Sequence, residues 1–62
     1  MKFKIGDKVM VISIDGTPIG DVWAITEDVN GKVWYWVDLG KLSRENRFLP
    51  SRFSESELKV MA

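Results

Sequence analysis

With 62 residues, nine Lys and Arg against nine Asp and Glu, and neither Cys nor His, the chain is one small domain of zero net charge. A domain this size buries only about 60% of the surface its unfolded form exposes, leaving no room for a dinucleotide-binding unit or a second catalytic lobe. The missing Cys excludes a disulfide framework and a thiolate metal site, and the missing His removes the commonest general base and metal ligand together. Hydrophobic residues at 45% and charged ones at 29% are the composition of a folded chain, not a disordered one. The balanced charge argues against a protein coated in nucleic acid. The apolar stretches are too short to span a bilayer, and Lys2-Phe3-Lys4-Ile5-Gly6-Asp7 is no signal peptide, so the expected address is the cytoplasm.

From Phe3 to Ile14 the chain alternates, with Ile5, Val9 and Val11 at strand spacing and Gly6-Asp7-Lys8 as a turn. Asp15-Gly16-Thr17-Pro18 breaks the run. Ile19-Gly20-Asp21 then leads into a second strand, Val22-Trp23-Ala24-Ile25-Thr26, with Gly20 marking a bend or a close backbone approach. Asn30-Gly31 predicts a type I′ hairpin turn, since both central positions need positive φ. The following arm, Lys32 to Leu39, puts Val33, Tyr35, Val37 and Leu39 on one face and Trp34, Trp36 and Asp38 on the other. Lys41 to Asn46 reads as a loop or hairpin tip, and Arg47-Phe48-Leu49 as a short strand stopped by Pro50. Ser54-Glu55-Ser56-Glu57 fits a capping box and predicts one 3₁₀ turn before a final strand, Leu58 to Met61.

This order of elements resembles an SH3-like small barrel of the kind found in KOW domains. The resemblance is carried by Gly6-Asp7-Lys8-Val9-Met10-Val11, Gly20-Asp21-Val22-Trp23-Ala24-Ile25, the aromatic strand Trp34 to Leu39 and the closing Phe53-Ser54-Glu55-Ser56-Glu57-Leu58. It implies an all-β, five-stranded, strongly bent barrel, with 1–62 as a single domain. Inward positions of such a barrel are filled by Ile5, Val9, Val11, Val22, Ile25, Val33, Tyr35, Val37, Leu39, Phe48, Leu58 and Val60.

Alternation leaves Met10, Ile12, Trp23, Trp34 and Trp36 facing outward. A contiguous exposed aromatic surface marks an interaction site. Two arrangements stay open, because a bulge could turn the Trp side chains inward and the loop from Ser13 to Ile19 could cover them. If exposed, Trp23, Trp34 and Trp36 are anchors for a protein partner or a second copy, Met10 and Ile12 extend the patch, and Asp21 and Asp38 supply polar contacts at its rim. A proline-rich ligand also suits such a face.

Residues 41–52 carry Lys41, Arg44, Arg47 and Arg52 against Glu45 alone. This loop is the alternative site, where a KOW-like module would hold nucleic acid or a ribosomal surface with the aromatics beside it. Nothing in the sequence organises catalysis. Glu27 and Asp28 are neighbours that a strand points to opposite faces, Glu55 and Glu57 belong to the capping turn, and no phosphate-binding glycine motif occurs. Plasmid-borne dihydrofolate reductases are similar in size and in the opening G-D-x-V, but Arg47-Phe48-Leu49-Pro50 stands where their V-Q-I-Y segment belongs. No enzyme activity, cofactor, metal or small-molecule substrate is expected.

Overall fold

Alternating Val, Ile and aromatic residues favour strands, and strands dominate the computed structural model, which describes residues 2–45 and 51–61. Strand β1 spans Lys8–Val11, β2 Ile19–Glu27 and β3 Val33–Asp38. A short helix, α1, follows at Lys41–Glu45, then β4 at Arg52–Phe53, a 3₁₀ turn at Glu55–Glu57 and β5 at Leu58–Val60. The five strands form one antiparallel sheet in the order β4-β3-β2-β1-β5. Among the described residues β4 and β5 are its two edges and do not pair, so the all-β fold is an open sheet.

One face of the sheet carries the core, made of Phe3, Val9, Val11, Val22, Tyr35, Val37, Leu39, Phe53 and Leu58. Ile14, Ile25, Val33 and Leu42 pack half-buried against it. Two expected core residues are instead exposed, Ile5 at 67% and Val60 at 49%. Ile5 occupies a corner of the turn in which the Asp7 N–H donates to the Lys4 carbonyl at 3.0 Å and Gly6 takes φ +96°. That turn sends Phe3 inward in its place. Val60 faces Val9 but lies on edge strand β5, with no strand beyond it among the described residues. Phe53 joins the core because β4 sets it opposite Tyr35. Phe48 and the strand expected at Arg47-Phe48-Leu49 lie outside the described residues.

Two local expectations change form. The hairpin after β2 forms, but among the described residues Thr17 is the one non-glycine with positive φ, so Asn30 does not adopt a type I′ conformation. The Gly31 N–H donates to the Asp28 carbonyl at 3.0 Å, and the Asp28 N–H to the Lys32 carbonyl at 3.0 Å. The loop is therefore Val29-Asn30-Gly31, with Gly31 at φ +82° supplying the left-handed residue such three-residue loops need. The Asp28 side chain tips the choice: its Oδ1 accepts from the N–H groups of Asn30 and Lys32 at 2.8 and 3.1 Å. The polar run after Gly40 is the second change. It winds into α1 instead of a loop, with the Arg44 N–H donating to the Gly40 carbonyl at 3.3 Å and Leu42 turned against the core.

The capping box forms as expected. Glu57 Oε1 accepts from the Ser54 N–H at 3.1 Å and from the Ser54 hydroxyl at 2.9 Å, while Oε2 accepts from the Ser13 hydroxyl at 2.9 Å. One carboxylate thus ties the first long loop to the 3₁₀ turn. The Ser54 backbone N–H, foremost, holds its carboxyl below the ordinary glutamate value.

Candidate functional site

The outer face of β2 and β3 is built by alternation with one interruption. Across the ladder Val22 pairs with Val37 and Ala24 with Trp36, so Trp23 is an extra residue in a bulge. Val22 and Ile25 both turn to the core side because of it. Beyond the bulge, Thr26 faces Trp34, and before it Asp21 faces Asp38. The bulge does not bury the indoles. Trp23 projects outward at 56% exposure, with its ring centroid 5.8 Å from that of Trp36 and tilted by 58°.

Each indole sits in a different setting. Trp36 is half-buried and donates its Nε1–H to Thr26 Oγ1 at 2.9 Å. Trp34 is half-buried and donates to Asp28 Oδ2 at 3.2 Å. Two cations lie over the Trp34 ring, Lys32 Nζ at 4.4 Å and the Arg52 guanidinium carbon at 4.5 Å from its centroid. Arg52 arrives there because β4 sets it opposite Trp36. Trp23 is accordingly the most exposed of the three indoles.

At the other end of β3, the depression beside Trp23 holds about 320 Å³ and is lined by Trp23, Val37, Asp38 and Ser51. Asp38 Oδ1 accepts from the Gly40 N–H at 2.8 Å, which holds its carboxylate at the rim. The strand order and the ladder put Met10 elsewhere, half-buried opposite Ile19 and Lys59, and Ile12 exposed beyond it. The Lys8/Asp21 pair stands on the ladder between Met10 and Trp23. Of the four cations of the alternative site, Arg52 covers Trp34 and Arg44 is exposed on α1. Lys41 starts α1, but its side chain lies outside the description, as does Arg47. Sequence reasoning missed Lys32 and Asp28. The Asp three residues before Gly31 was the available signal for Asp28, as a turn-capping side chain.

Asp28 accepts three hydrogen bonds, all of which favour its ionised form. The Trp34 indole N–H, then the Lys32 and Asn30 N–H groups, hold its carboxyl below the ordinary aspartate value. A depressed carboxyl contributes stability above its unfolded pKa and loses it as pH falls through the folded value. In an acid titration followed by amide-correlation NMR, the Trp34 indole N–H signal is expected to move with a midpoint below that of an ordinary aspartate. The Trp36 indole signal, bonded to a hydroxyl, stays in place over that range. A Trp34 signal that ignores pH, or moves with Trp36, contradicts this assignment.

Among the described residues no three potential metal ligands converge, and no helix is long and apolar enough to cross a membrane. No protein-family model matches the chain, and no curated protein or solved structure is significantly similar to it.

Proposed function

We propose that this chain is a non-catalytic, cytoplasmic interaction module of SH3-like type that docks a protein surface, a partner's or its own, through the face built by Trp23, Trp34 and Trp36. The carrying observation is Trp23, 56% exposed, stacked on Trp36 and bordering the depression at Asp38. A large rigid aromatic held at one edge by another buries much area on docking at little entropic cost. The strand order, with the 3₁₀ turn before β5, supports the SH3-like reading. The test is an aromatic photo-crosslinking amino acid, benzoylphenylalanine, at position 23, where it keeps a large ring, compared with the same group at the exposed loop tip, Val29. Discrete adducts are expected at 23 and not at 29, competed by excess wild-type protein and not by the Trp23→Ala variant. Absence of adducts at 23 overturns the reading.

The alternative is a KOW-like nucleic-acid module using Lys41, Arg44, Arg47 and Arg52. Its support is Arg52, lying with Lys32 over an aromatic ring where a base and a phosphate could be held together. Asp21 and Asp38, opposed on the same face, repel a polyanion. A short single-stranded nucleic acid at low salt is expected to leave the three indole NMR signals unmoved. Salt-sensitive shifts of those signals favour the alternative.

A further inference from the structure

We infer that the occupant of the tryptophan face is a second copy of this chain, in a closed pair whose two β3 strands lie face to face and antiparallel. The inference rests on the interaction reading above and on the distribution of charge along β3. Trp36 stands at the centre of the face. Two residues to one side, Trp34 carries Lys32 and Arg52; two residues to the other, Asp38 stands opposite Asp21. The basic and acidic ends are therefore about 13 Å apart along the strand. Asp28 also lies at the basic end and stays ionised, its carboxylate held by the Trp34 indole and two backbone N–H groups, so the two cations Lys32 and Arg52 leave that end net positive. Asp21 sits between Asp38 and Lys8 on the ladder, and neither Asp21 nor Lys8 makes an ion pair among the described residues.

A two-fold axis in the plane of the interface, crossing β3 at Trp36, lays each acidic end over the other copy's basic end. The complementary contact is made twice, as an isologous interface requires. The other in-plane two-fold, running along β3, sets carboxylates against carboxylates and is disfavoured. The chain's zero net charge leaves no overall repulsion between copies. Trp23, the open indole, packs across the centre against the partner's aromatic pair.

The test is sedimentation of the full chain up to about 1 mM, where association of a few kcal/mol is visible. The wild type is expected to dimerise, Trp23→Ala to remain monomeric, and Asp38→Arg and Arg52→Asp each to weaken the dimer at least about tenfold. Mixing the two charge variants in equal amounts restores the dimer, because each positive end then meets a negative one in the other chain. Should Arg52→Asp fail to fold, Lys32→Glu takes its place, since it changes a charge on an exposed side chain of the same end. A wild type that stays monomeric overturns the pair, while competed crosslinks at position 23 still report a foreign partner and keep the interaction reading. A dimer indifferent to Trp23→Ala and to both charge changes overturns the assignment to this face, as does a mixture that fails to recover.

Discussion

Replacing Gly20 by alanine is expected to destabilise the fold by about 3 kcal/mol, near the upper end for forcing extra volume into a packed site. A Cβ at this buried position runs into the backbone carbonyl oxygen of Asp38 and comes within 2.8 Å of Val37 Cγ1. The first obstacle is main chain, so no rotamer change relieves it. β2 and β3 must separate at the place where Asp21 and Asp38 face each other. A 62-residue domain has only about 3–9 kcal/mol of stability in all, so the substitution removes about a third of it or more. Gly16→Ala is the control. Its Cβ meets nothing within 4 Å and its only difficulty is φ +87°, a cost of about 1 kcal/mol. Urea titrations of the two variants check the order; a Gly20→Ala chain as stable as Gly16→Ala refutes the close-approach argument.

The second large effect is at Phe3. Its ring is 1% exposed and meets Tyr35 edge-on, with centroids 5.1 Å apart and planes at 84°. Phe3→Ala removes that contact and leaves a cavity over Tyr35, the largest of the fully buried side chains, costing about 3 kcal/mol. Tyr35→Phe separates packing from hydrogen bonding. The hydroxyl accepts from the Lys2 N–H at 3.2 Å, and Lys2 is exposed, so water replaces the bond and the loss stays below about 1 kcal/mol. Thermal melts that rank Tyr35→Phe as the more damaging change contradict the account.

What the sequence revealed is what short-range physics decides. The alternation from Val33 to Leu39 was legible because side chains on a strand have a period of two, and Tyr35, Val37 and Leu39 are buried accordingly. The capping box was legible because Ser54 and Glu57 are three residues apart and bond each other. Gly20 was legible as a close approach, though not what it approaches. Burial of Phe3 and Phe53 was not legible, since each depends on a partner, Tyr35, more than fifteen residues away. The same distance in sequence hid Arg52 over Trp34. The bulge at Trp23 left a trace: Val22 and Ile25 are both core-type residues at an odd spacing, which a regular strand cannot turn to one face. The hairpin turn failed for a local reason, because Asp28 caps a three-residue loop more effectively than Asn30 could enter a left-handed conformation.

On the proposed reading, the position of Trp23 separates the docking surface from what holds the chain together. As the extra residue of the bulge, Trp23 has no opposite number on β3, and the pairings on either side of it do not depend on its side chain. Its indole can change from one descendant of the sequence to the next, to another aromatic, a charge or a small residue, with little consequence for the scaffold. Val22 and Tyr35 have no such freedom. If the face docks partners as proposed, a domain with so little stability to spare changes them at one residue, while selection for folding acts on the others.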